Sequence, residues 1–218
     1  PIVHLRNWPP DSAWDGAAWE LLGHAADRLT LQSPTSPDLG VRLQREVRLL
    51  PGIPALTIGN ELERLSANPF PVFIWSVTQV KPPECCLLDV ASEQPFPSRP
   101  FVALIKPTTA TLVAASRVVR LEPTPGKCAK IGVFGRWVAA VYPDSILLQT
   151  APYEPEACYP DGANLEIFWN GAGRHQTTLA NWPPTAWNGD YVELEAISPL
   201  RHLLPGEKLR YAVSWQIL

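Results

Sequence analysis

Hydrophobic and polar residues alternate with a period of two along most of this chain, the pattern of strands with one buried face. The clearest run is VRLQREVRLL, residues 41–50. It places Val41, Leu43, Val47 and Leu49 on one face and Arg42, Gln44, Glu46 and Arg48 on the other. Such a run predicts a half-buried strand with a solvated outer face. The PGI turn that follows and the ALTIGNEL run after it predict the antiparallel partner. Upstream, RLTLQS (residues 28–33) sets Leu29 and Leu31 on one face, and SPTSPDLG is turn-rich.

Further strands are expected at residues 72–80, 101–106, 112–121, 130–141, 145–150 and 165–169. VFIWSVTQV (72–80) begins apolar on both faces and then alternates through Ser76 and Thr78. It reads as a central strand passing from buried to open space and ending at Pro82-Pro83. Gly132 and Gly135 interrupt the 130–141 run where a bulge or a close backbone approach is expected. Asn170-Gly171 is a turn dipeptide. The last stretch, residues 188–218, predicts two strands joined at Pro205-Gly206, a closing hairpin. Residues 1–27 have no sustained period and read as an N-terminal arm, with a short helix or a strand within 15–22. The expected architecture is a single all-β domain over residues 1–218, built of mainly antiparallel sheets.

Composition sharpens that picture. Twenty-five prolines and 13 glycines among 218 residues favour short strands and rigid turns. A net charge of −3 gives no basic footprint for nucleic acid. No run of eighteen apolar residues predicts a membrane span. A chain beginning at Pro1 without Met leaves the compartment open between cytoplasm and periplasm. Cys85, Cys86, Cys128 and Cys158 follow no metal-ligand spacing, so buried free thiols are expected and no metal or cofactor is. A Cys128–Cys158 disulfide is the alternative for an exported protein. Oligomeric state has no signature in the sequence.

Candidate chemistry is concentrated near the C-terminus. In YVELEAI, Glu193 and Glu195 point to the same side of one strand, about 7 Å apart. Two carboxylates on one face are costly unless they meet water, a cation or a substrate. His175, after the Asn170-Gly171 turn, is the histidine best placed to join them, because loops at strand ends build sites on β scaffolds. Trp75, Trp182, Trp187 and Tyr191 supply aromatic surface of the kind on which sugar rings stack, and each is equally a core residue by type. Asp161 in the YPDGAN turn is a further ligand-facing candidate. The chain has no GxSxG elbow, Walker loop, dinucleotide-binding glycine pattern or HExxH.

The order strand, glutamate, short proline-containing loop, PGE and aromatic-rich last strand, ELEAISPLRHLLPGEKLRYAVSW, resembles the C-terminus of the galactose mutarotase-like superfamily. The resemblance is nearest to an uncharacterised bacterial branch, and RLTLQSP, GVRLQREVRLL and LTIGNELERLSANPFPVFIWSVTQV extend it upstream. It implies a β-supersandwich fold. Glu195 would stand at the position of the general base that takes a sugar's anomeric proton, with Glu193 as second candidate. Trp75 stands where the family's general-acid histidine lies in a motif of the kind HxYFN. Upstream strands that carry a further histidine and an arginine are largely lacking, which implies an N-terminally incomplete or reduced fold.

The function implied is a carbohydrate-binding or carbohydrate-processing protein with a sugar as partner. If it is an enzyme, it is a cofactor-independent, aldose 1-epimerase-like isomerase with an altered acid. The alternative is a non-catalytic structural or protein-interaction β-sandwich.

Overall fold

A computed structural model of the chain describes residues 11–91, 100–105, 110–113, 117–123, 128–170 and 190–218. Its elements are α1 (Ser12–Asp15), β1 (Glu20–Ala25), β2 (Arg28–Gln32), β3 (Val41–Leu49), β4 (Ala55–Arg64), β5 (Trp75–Val80), β6 (Cys85–Asp89) and β7 (Val102–Ile105). They continue with β8 (Ala110–Val113), β9 (Val118–Leu121), β10 (Ala129–Val133), β11 (Trp137–Val141), β12 (Ile146–Thr150), β13 (Leu165–Asn170), β14 (Tyr191–Ile197) and β15 (Lys208–Ile217). Every strand pairing is antiparallel, so the all-β supersandwich expected from the sequence is the fold observed.

Two sheets face each other. The larger has ten strands in the order β1-β2-β3-β4-β15-β12-β11-β6-β9-β8, and the smaller five in the order β5-β14-β13-β10-β7. Alternation explains the core directly. Leu43, Leu62, Leu88, Val119, Val138 and Val213 point inward from the large sheet, against Ile131, Leu165, Ile167, Val192 and Leu194 from the small one. Burying such side chains is the dominant favourable term in folding.

The β3–β4 hairpin forms as its pattern predicts, with Val41 opposite Arg64 and Leu49 opposite Leu56. Arg64 ends this ladder fully buried. Its guanidinium donates to the Leu39 carbonyl and, at 2.8 Å, to that of Phe70, fastening the two neighbouring turns to the sheet. Among residues 15–22 the strand reading is the one observed. The helix lies earlier, capped by Asp11, whose Oδ1 accepts from the Ala13 amide at 2.8 Å. Part of the expected arm therefore joins the large sheet as its edge strand, β1.

Four other expectations are corrected. β14 and β15 do not form a hairpin: β14 pairs with β13 and β5 in the small sheet, while β15 lies between β4 and β12 in the large one. The turn at Pro205-Gly206, where Gly206 has φ 88°, belongs to a crossing between sheets. β5 is an edge strand, not a central one. Its Ser76 and Thr78 face the core while Trp75 and Val77 face outward, and Thr78 Oγ1 donates to Gln149 Oε1 across the two sheets at 2.8 Å.

The 112–121 run is a hairpin of two strands, β8 and β9. The 130–141 run is also two strands, β10 and β11, in opposite sheets. Gly135 sits at that crossing because a Cβ there would stand 2.2 Å from the Asp89 carbonyl oxygen. A Cβ on Gly132 would stand 2.5 Å from the Ala163 Cβ, and the register of β10 against β7 shifts between Lys130 and Ile131. All four cysteines are free thiols, Cys85 and Cys86 buried in β6 and Cys158 exposed, so no Cys128–Cys158 disulfide is formed.

Candidate functional site

The outward face of the small sheet carries the charged cluster. In β14, Val192, Leu194 and Ala196 are in the core, which turns Tyr191, Glu193 and Glu195 to the opposite face together. Register then decides their neighbours. Glu195 stands opposite Glu166 on β13 and Val77 on β5, and Glu193 stands opposite Phe168 and Gln79. Trp75 lies two residues from Val77 along β5, and Lys130 two residues from Gly132, the partner of Glu166, along β10.

Glu195 is fully buried. Its Oε2 accepts from Trp75 Nε1 at 2.7 Å and from Lys130 Nζ at 2.9 Å. Lys130 also pairs with Glu166 Oε2 at 2.7 Å, so one ammonium is shared by two fully buried carboxylates that face each other across adjacent strands. The same ammonium lies 5.4 Å from the centroid of the Trp75 ring. Like charges opposite one another destabilise a sheet, and the shared cation offsets that repulsion. Burial alone would lower the Lys130 pKa, yet the charges of Glu195 and Glu166 outweigh it and the net shift is upward. Among the described residues, nothing donates to Glu195 Oε1.

Glu193 is half-buried, and its Oε1 accepts from Gln79 Nε2 at 2.8 Å. Desolvation raises its pKa, the Gln79 hydrogen bond works against that, and the charge of Glu195 adds to the rise. Burial also pushes the Tyr191 hydroxyl up to about 12 and the Cys128 thiol to about 11, with Glu193 reinforcing both, so neither ionises near neutrality. The face opens toward the β5 edge, where Trp75 is 38% exposed beside exposed Val77.

Of the residues singled out in the sequence, Glu195, Glu193, Trp75 and Tyr191 are brought onto this one face. Asp161 lies in the turn before β13, beside Gly162 at φ 73°. His175, Trp182 and Trp187 lie outside the described residues. Lys130 and Glu166 were missed. Each belongs to a short apolar strand, AKIGV and LEIFW, whose charged residue falls on the face opposite its buried neighbours. Pairing with β14 is what gives those charges a partner. Among the described residues, no group of three His, Cys, Asp or Glu is placed to hold a metal ion.

The arrangement offers an aromatic surface, a part-exposed amide–carboxylate pair and a buried carboxylate with one unfilled acceptor. Lys130 is no ready acid, because its raised pKa holds its proton at neutral pH.

Solved structures similar to this chain share its architecture at low identity, and the fold is galactose mutarotase-like. A putative aldose 1-epimerase from Escherichia coli K12 superposes with a TM-score of 0.59 at 13% identity, over 93% of this chain and 69% of that one. A galactose mutarotase-like protein from Lactobacillus casei gives 0.56 at 10% identity, over 92% and 73%. A putative aldose 1-epimerase from Klebsiella pneumoniae gives 0.56 at 11%, over 92% and 53%. No curated protein matches the sequence. A family model described as Domain of unknown function (DUF4380) matches residues 4–218, and the chain belongs to that family.

Proposed function

We propose that this member of the DUF4380 family is a carbohydrate-binding protein whose sugar site is the outward face of the small sheet around Trp75. The observation that carries the reading is the 2.7 Å hydrogen bond from Trp75 Nε1 to Glu195 Oε2. It holds a partly exposed indole in one orientation at an open sheet edge, beside the exposed Gln79 amide and its half-buried partner Glu193. A sugar ring stacks on such an indole through its C–H face, while planar amide and carboxylate groups take its hydroxyls. In this reading Glu195 is a positioning residue, sealed from solvent by the side chains around it. The partner is a small sugar, and solved structures of the same fold include two putative aldose 1-epimerases, which agrees with that class.

A second reading, turnover of sugar anomers, is favoured by the unpartnered Oε1 of Glu195, an acceptor that a general base needs. One experiment separates the two. Anomer exchange of common hexoses is followed by NMR while binding is followed by tryptophan fluorescence. Binding without accelerated exchange, lost in Trp75→Ala, supports the first reading. Exchange that disappears in Glu195→Gln supports the second, and neither response leaves a structural β-sandwich.

A further inference from the structure

The large sheet carries a second polar constellation, on its inner face and on other elements than the Glu195 cluster. Arg45 on β3 stands opposite Asn60 on β4, and Asn60 opposite Tyr211 on β15, so the three form one row across adjacent strands. They share phase with Leu43, Leu62 and Leu209 and so point inward. Arg45 is out of keeping there: it interrupts the apolar series Val41, Leu43, Val47, Leu49.

Its guanidinium donates through Nε to Asn60 Oδ1 at 2.8 Å and lies 5.3 Å from the centroid of the Trp19 ring. Trp19 is in turn held by its Nε1 donating to the Trp14 carbonyl at 3.3 Å. Among the described residues, no carboxylate lies within ion-pair distance of Arg45, and burial depresses its pKa with no acidic group opposing. Asn60 and Tyr211 are almost fully buried, and among the described residues nothing partners the buried Asn60 Nδ2, Tyr211 Oη or Trp14 Nε1. Every one of these groups can donate.

A half-buried cation without a counter-ion and several buried unmade donors are each costly. A bound oxyanion relieves the guanidinium and the Asn60 and Tyr211 donors of the row together. We infer that this row is a binding site for a small carboxylate anion. The Nη edge of the guanidinium matches a carboxylate in bidentate fashion, and the Asn60 amide and Tyr211 hydroxyl supply the remaining donors. One guanidinium neutralises a monoanion, whereas a phosphate dianion would leave a net negative charge buried. The site is independent of the proposed sugar site.

The test is calorimetric titration of the full chain with glucuronate, with glucose and inorganic phosphate at matched ionic strength as comparisons. Saturable glucuronate binding is expected, weakened about tenfold or more in Arg45→Gln and severalfold in Tyr211→Phe. Loss in Glu195→Gln with retention in Arg45→Gln would move the binding to the other sheet and overturn the assignment. Absence of saturation, or preference for phosphate, would also overturn it. If Arg45→Gln does not fold, Tyr211→Phe decides alone, because that change keeps the ring packed and removes only the hydroxyl.

Discussion

Trp75 and Glu195 meet across paired edge and central strands, indole N–H to carboxylate oxygen at 2.7 Å, although 120 positions separate them in the chain. Strand register makes the contact: Ile197 pairs with Trp75 and Glu195 with Val77, so the bond runs diagonally on the outward face. Trp75→Phe keeps the ring and deletes the donor. It should cost about 1.5 kcal/mol, the low end for a hydrogen bond to a charged group because the indole is partly exposed. Denaturant unfolding measures it, and an unchanged midpoint would show that the bond contributes nothing.

Lys130 should be the most sensitive position of the cluster. Lys130→Met leaves Glu166 and Glu195 opposed and buried without the cation they share, a loss expected at about 3–5 kcal/mol. The triple variant Lys130→Met/Glu166→Gln/Glu195→Gln removes the charges and should recover most of it. Urea midpoints compare the two, and a triple variant no more stable than the single would refute charge as the cause.

Alkaline pH should act through the same residue. The folded-state pKa of Lys130 is raised above its ordinary value of 10.5. Its contribution to stability is therefore complete below that value and is lost as pH rises through the folded pKa. Stability measured across that range should fall more steeply in the natural chain than in the triple variant. Equal slopes would exclude the linkage.

Glu193 should behave in the opposite sense. Its folded pKa is raised above 4.5, so the charged form is disfavoured in the native state at neutral pH and that penalty is relieved as pH falls. Glu193→Gln should raise the thermal midpoint at neutral pH, with the gain shrinking below the ordinary carboxylate range. A variant less stable at neutral pH would contradict this.

The hydrogen bond between Thr78 and Gln149 ties the two sheets at a buried point. Thr78→Val should cost about 1–3 kcal/mol by leaving the amide oxygen unpaired, while Thr78→Val/Gln149→Leu should recover part of that. A double-mutant cycle on chemical unfolding gives the coupling, and a value near zero would mean the bond is dispensable.

Much of the architecture was legible because strand alternation is local. The series Val41, Leu43 and Val192, Leu194, Ala196 each name their own buried face, whatever strand lies beside them, while Leu49 at the far end of β3 keeps the phase but is exposed. The same locality put Glu193 and Glu195 on one side before any partner was known. Proximity in sequence misled where the chain changes sheet. Residues 130–141 look continuous, yet Gly135 marks a crossing, and β14 and β15 look like a hairpin yet pack in different sheets. A period of two identifies faces and is silent about neighbours.

The sequence by itself determined the all-β class, the faces of its strongest strands and the shared direction of the acidic pair, because a side chain's face follows from its own backbone. Only the tertiary structure decided that Lys130 and Glu166 complete the cluster and that Arg45 lies beside Asn60 and Tyr211. Those relations depend on which distant strands pair and in what register, and pairing is set by the burial of the whole core rather than by any one segment.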